Sequence, residues 1–247
     1  YSDSLEAYRQ RLWKYAVSGG RMNFHPIWPA PNMPTGDYSL HKSALMRGQQ
    51  RIRLLNLISK SPLDCPVAVV FGHAATMNYA GPHFQDSGSR LADAFWTAGF
   101  PADLIPTSEI ENQSLKIDSD GYVRYGEQRY AAVVLYHPEF EKTVSADFWQ
   151  LAANGKSALY RMGNWTRDFD AKPVEGDKLL PAGMTLVADD GRCVDAVVRD
   201  LKGRGIEMQQ AGKLDGHCRL LDGTRIFIAA DKTMEGDPLR KTTMIGD

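Results

Sequence analysis

Long apolar runs are missing from this sequence: no stretch approaches the roughly 20 consecutive apolar residues that a membrane-spanning helix requires. Charge of one sign is missing too. The 29 Lys and Arg against 30 Asp and Glu leave a net charge of −1, which exerts no long-range pull on nucleic acid or an anionic bilayer. Cysteine is scarce. Cys65, Cys193 and Cys218 stand far apart, with no CxxC pair and no histidine at ligand spacing, so they read as small buried hydrophobes. A Cys193–Cys218 disulfide would require an exported parent, and the spacing does not support it. Three signature loops are absent as well. Gly72 is not followed by the Gly-Lys pair of a phosphate-binding Walker loop, and no GxGxxG is there to cradle a dinucleotide. No GxSxG supplies the nucleophile of an α/β-hydrolase. No signal-peptide pattern is evident, and a chain that starts at Tyr1 without a Met and stops at Asp247 reads as a piece of a longer polypeptide. The compartment therefore stays open between cytoplasm and export.

What is present is an ordinary globular balance, 43% hydrophobic and 24% charged, in 247 residues, enough for one large domain or one and a half. The chain is organised around Cys65–Phe100. Val67–Phe71 is a continuous apolar run, ended by Gly72-His73, and reads as a strand buried on both faces. A polar loop with Gly and Pro follows, then an amphipathic helix ending near Gly99. Two further apolar runs, Ala131–Tyr136 and Ser157–Met162, look like neighbouring strands. Parallel strands with crossover helices make a doubly wound α/β sheet of flavodoxin-like type, with helices on both faces.

Before that core, residues 2–18 carry a helical apolar stripe. Residues 21–39 hold four prolines interleaved with His25, Trp28, Asn32 and Tyr38, which forbid regular structure and suit an interface or a sugar-stacking surface. Residues 40–60 read as a basic amphipathic helix that includes Arg51. Trp28, Tyr38 and Arg51 are the interface candidates, since aromatic and Arg side chains dominate interface energetics. After the first strand–helix unit, Ala102–Pro106 is a second strand, and Asp120-Gly121 marks a hairpin between Leu115–Ile117 and Tyr122–Tyr125. Val144–Ala153 and Cys193–Leu201 have helical spacing, and residues 163–191 are weakly patterned. A second hairpin turns at Asp222-Gly223 and leads into a polar, frayed tail. The resulting division is 1–64 as a helical and loop segment, 65–215 as the α/β domain and 216–247 as hairpin and tail.

Ligands of an open α/β sheet bind beyond the carboxyl ends of its strands. Those ends carry His73, Asn78 and His83 after the first strand, and Thr107, Ser108 and Glu109 after the second. His137 and Glu139 follow the third, and Arg161 and Asn164 the fourth. Binding candidates are His73, Asn78, His137, Glu139, Arg161 and Asn164; capping and domain contacts are the competing role for the same groups. His73, His83 and His137 could bind a metal in principle, but their spacing gives it no support, so no metal ligand and no cofactor is assigned.

Four stretches, VAVVFGHAATMNYAGPHF, LADAFWTAGFPADLIPTSEI, RYAAVVLYHPEF and GKSALYRMGNWT, resemble the middle, trimerisation domain of family 42 β-galactosidases and their relatives. That domain is similar in fold to class I glutamine amidotransferases. The resemblance covers residues 45–165 best and is specific to fold more than to activity. It implies a glycoside hydrolase parent whose two catalytic Glu residues lie in a barrel. A (β/α)8 barrel needs about 250 residues, and only 66 precede Val67, so no catalytic residue is assigned to this chain. The turn that would hold an amidotransferase Cys reads Arg161-Met-Gly-Asn-Trp165, without Cys or Ser. The expected function is therefore a non-catalytic association domain, with the parent's barrel and a second copy of the chain as partners. The alternative is a small-molecule or sugar-binding α/β domain with its own site on the strand-end rim.

Overall fold

The computed structural model describes residues 61–79, 81–209, 216–229 and 243–245. The helix read over residues 2–18, the Pro-rich loop with Trp28 and Tyr38, and the basic helix with Arg51 lie outside the described residues. The chain divides into two compact units, Asp64–Gln209 and a second that joins Tyr1–Leu63 with Gln210–Asp247. Among the described residues, no helix is long and apolar enough to cross a membrane.

In the Asp64–Gln209 unit, β1 (Val67–Phe71) leads through a short α1 (His73–Asn78) and α2 (Ser89–Thr97) to β2 (Ala102–Pro106). After α3 (Ser108–Glu111) come three short strands, β3 (Leu115–Ile117), β4 (Val123–Tyr125) and β5 (Gln128–Tyr130). Next are β6 (Ala132–Tyr136), α4 (Ala146–Ala152), β7 (Ala158–Met162), α5 (Gly176–Leu179), β8 (Thr185–Val187) and α6 (Asp190–Gly203). The main sheet has the order β2-β1-β6-β7-β8, and every pairing in it is parallel. Counting core strands alone, this is the flavodoxin-like order, a doubly wound α/β sheet.

Strand periodicity sends alternate residues to opposite faces, and both faces are covered. Ala68, Val70, Val133, Leu135 and Leu159 pack with Ile110 of α3, Phe148 and Trp149 of α4, and Leu115, Val123 and Tyr130 of the small strands. Val67, Val69, Ala132, Val134 and Tyr160 pack with Leu91 and Phe95 of α2 and with Cys193, Val197 and Leu201 of α6. Fully burying one such aliphatic or aromatic side chain contributes about 1.5–3 kcal/mol. This two-sided burial is why β1 and β6 are uninterrupted apolar runs rather than alternating ones.

Several elements differ from the sequence expectation. The loop after β1 contains α1, whose Ala74 and Ala75 are buried. The hairpin at Asp120-Gly121 has a third strand, β5, paired with β4 through a turn at Gly126-Glu127. This small sheet is tied to the core by Ser157, whose hydroxyl accepts from Val123 N and donates to Tyr130 O. The weakly patterned region holds a fifth parallel strand, β8, at an edge where Thr185 and Leu186 are exposed and only Val187 is buried. In the second unit, β9 (Gly216–Arg219) and β10 (Arg225–Ala229) form the expected hairpin. The tail is not simply frayed, because β11 (Thr243–Ile245) pairs antiparallel with β10. None of the three cysteines is in a disulfide, and all three are buried.

Candidate functional site

The chain leaves β1 toward β2 on one side and leaves β6 toward β7 on the other. Connections that diverge from two adjacent parallel strands open a crevice at their carboxyl ends, the usual ligand position in such sheets. The two loops approach closely there: a Cβ on Gly72 would lie 3.1 Å from His137 O. His137 N–H donates to Met162 O at 2.8 Å, extending the β6–β7 ladder by one residue. The chain then turns with φ +46° at His137, a left-handed conformation that a side-chain-bearing residue adopts at a cost and that clusters at functional sites.

That turn presents the His137 ring to Glu139, with Nδ1 3.1 Å from Oε1. His83, from the loop between α1 and α2, reaches the same oxygen with its own Nδ1 at 3.0 Å. The two imidazoles stack with centroids 3.6 Å apart and planes 14° from parallel. Tyr136 packs edge-on against His137 at 4.5 Å. Its hydroxyl donates to Asp86 Oδ2 at 2.9 Å, while Asp86 N donates to His83 O at 2.9 Å. Tyr136 and Asp86 thereby hold the His83 loop over β6. Burial opposes ionisation of Asp86, but the Gly88 N–H, the Tyr136 hydroxyl and Arg90 together hold its carboxyl below the usual range.

Glu139 is the centre of the cluster. Its backbone O accepts from Thr166 N and Oγ1 and from Arg167 N, fixing it to the loop after β7. Burial pushes its carboxyl up, but the hydrogen bond from His137 and the neighbouring imidazoles leave it below the ordinary value, so it is a carboxylate at neutral pH. Its second oxygen, Oε2, is buried and has no hydrogen-bond partner. Two residues on, Glu141 is only 1% exposed. It accepts from Lys142 N at 2.8 Å and from the Thr107 hydroxyl, yet burial pushes it up to about 7.

The turn after β7 packs against the His137 and Glu139 side chains. Gly163 has φ +82°, and a Cβ there would meet Glu139 Oε1 at 3.0 Å and His137 Nδ1 at 3.1 Å. A strained strand-to-turn elbow is where hydrolases and amidotransferases present a nucleophile. Here the elbow residue is a glycine, and the space its side chain would fill is occupied by His137 and Glu139.

Of the binding candidates read from sequence, His137 and Glu139 come together. His73 begins α1 and uses its N–H on Thr107 Oγ1 at 3.0 Å, outside the cluster. Asn78 lies exposed at the far end of α1. Arg161 and Asn164 form a separate group: Arg161 donates to Asn164 Oδ1 and to Asp177 Oδ1, each at 3.0 Å. His83 was visible as a rim residue and as one of three histidines weighed for a metal, whereas Asp86, Tyr136 and Glu141 carried no signal. Their roles depend on loop placement that no local spacing encodes.

Among the described residues, His83, His137 and Glu139 are the group whose donor atoms, all within 4.8 Å of one another, could hold a metal ion. The chain is thus an α/β domain with potential metal- and ligand-coordinating residues at its sheet switch point. Comparison with protein-family models, curated proteins and solved structures finds no match to this chain.

Proposed function

We propose that the Asp64–Gln209 unit is a ligand-binding α/β domain without a nucleophile of its own, belonging to a carbohydrate-active polypeptide. The observation that carries this reading is the convergence of His83 and His137 on Glu139, with an unpartnered carboxylate oxygen, in the crevice between β1 and β6. Gly163 at the elbow supports the absence of covalent catalysis. The four stretches that resemble the family 42 middle domain support a glycoside hydrolase parent, with catalysis in a barrel elsewhere.

The test is a titration of the chain with galactose and a panel of aryl glycosides, followed through the ring resonances of His83 and His137. Binding should move those resonances without turnover. Hydrolysis that survives repurification and is lost on mutating one carboxylate of this chain refutes the non-catalytic part. Sugars that leave both rings unmoved refute the carbohydrate part.

A second reading, the association module, is favoured by the sheet edges. Leu104 on β2 is 40% exposed and Leu186 on β8 is 55% exposed, and an exposed apolar edge strand invites pairing. Partners would be a second copy of the chain and the parent's barrel, with Trp28, Tyr38 and Arg51 contributing. Light scattering over a concentration series should give a dimer or larger species, weakened by Trp28→Ala. A strictly monomeric chain at high concentration refutes it.

A further inference from the structure

We infer that His83, His137 and Glu139 form a site for one divalent first-row transition-metal ion of the borderline class that zinc represents. The inference rests on the ligand-binding reading above and names what the crevice holds first.

The donor chemistry selects the ion class. Two imidazole nitrogens and one carboxylate oxygen suit Zn²⁺, Co²⁺, Ni²⁺ or Fe²⁺, whereas Mg²⁺ and Ca²⁺ prefer all-oxygen shells. The distances fit. Ligand atoms about 2.0–2.2 Å from a shared ion lie roughly 3–3.5 Å from one another, and the two Nδ1 atoms stand 3.0 and 3.1 Å from Glu139 Oε1. Electrostatics asks for a cation. Oε2 of Glu139 is shielded from water with nothing to bond to, and an unsatisfied charged acceptor is costly. An ion gripped through both oxygens of Glu139 would give Oε2 that partner, whereas one held by Oε1 alone would not.

The site is also half pre-set. His137 is fixed by its left-handed turn, by the edge of Tyr136 and by the close approach of Gly163. The stack imposes one movement. Nearly parallel rings place their Nδ1 lone pairs in separate parallel planes, so one ion sits in both planes only after one ring rotates about its Cβ–Cγ bond. The His83 side chain is 37% exposed and that of His137 17%, so His83 is the ring that turns. Both Nδ1 atoms must give up any proton they carry, so binding releases protons and weakens in acid. Three protein ligands leave coordination positions open, as in exchangeable sites rather than closed structural ones. A sugar hydroxyl or a carboxylate of an incoming ligand would take an open position, which links the ion to the proposed binding function.

The experiment is calorimetric titration of the chelator-stripped 247-residue chain with Zn²⁺ at neutral pH, repeated with Co²⁺ followed by visible absorption. The expected result is one ion per chain, proton release, and shifted ring resonances of both His83 and His137. His83→Gln, His137→Ala and Glu139→Gln should each weaken binding by about tenfold or more, as expected for loss of a ligand. His73→Ala should bind as wild type does. Should a variant fail to fold, His83→Gln, at a half-exposed side chain, and the wild-type ring resonances still decide the matter. No saturable binding, or undiminished binding by a His83→Gln/His137→Ala double variant, overturns the inference. Sugar binding that shifts the two rings while Zn²⁺ does not bind overturns the metal site and leaves the ligand reading standing. Zn²⁺ binding with no sugar response does the reverse.

Discussion

His83 and His137 lie face to face, ring centroids 3.6 Å apart, and share one oxygen of Glu139 as the acceptor or partner of both Nδ1 atoms. The first comes from the loop after α1, the second from the end of β6. Their meeting makes Glu139 the group on which the crevice depends.

Glu139 therefore has a defined pH signature. Its carboxyl is held below the ordinary value of 4.5 in the folded chain, against the effect of burial, by the His137 hydrogen bond and the nearby imidazoles. As pH falls, the unfolded chain takes up this proton first. The stabilising contribution is whole above about pH 4.5 and is lost as pH drops through the folded value. Urea midpoints of wild type and Glu139→Gln, measured from neutral pH downward, should converge in acid. A difference that stays constant over that range contradicts this role.

Glu141 behaves in the opposite sense. Burial raises its folded value to about 7 from 4.5, so the folded chain holds this proton after the unfolded chain has released it. Stability should decline between about pH 4.5 and 7 and level off above, by on the order of 3 kcal/mol. Glu141→Gln keeps an acceptor for the Lys142 N–H and removes the charge. It should be more stable than wild type at pH 8 and flatten the profile, as read from denaturant midpoints across pH.

Gly163→Ala tests the elbow. The substitution puts a Cβ at φ +82° and 3.0–3.1 Å from Glu139 Oε1 and His137 Nδ1. A loss of about 1–3 kcal/mol is expected from the left-handed backbone and the crowding, read as a lower urea midpoint. An unchanged midpoint would mean that the turn relaxes freely.

The thiols should be slow. Cys65, Cys193 and Cys218 are buried, and burial pushes Cys193 up to about 12 and Cys218 up to about 11. Little of either is thiolate at neutral pH, and thiolate is the reactive form; Cys65 is shielded by burial. A disulfide-exchange chromophore should label the three only on denaturation; rapid stoichiometric labelling of the folded chain would contradict this.

The sequence by itself determined the elements that bury residues on both faces or one full helical stripe. Val67–Phe71 and Ala132–Tyr136 have no polar group to hide but the Tyr136 hydroxyl, so strand and parallel sheet follow from composition. Asp120-Gly121 and Asp222-Gly223 announced hairpins through turn chemistry. Only the tertiary structure decided the rest. β8 is too short and too exposed to leave a pattern, and it exists because β7 offers an open edge. β11 sits in a polar tail and is a strand through its pairing with β10. The candidate site is the clearest case. His83, His137 and Glu139 meet because β1 and β6 are neighbours whose connections diverge. Strand order arises from how the two sheet faces are covered, a non-local choice that no spacing along the chain records.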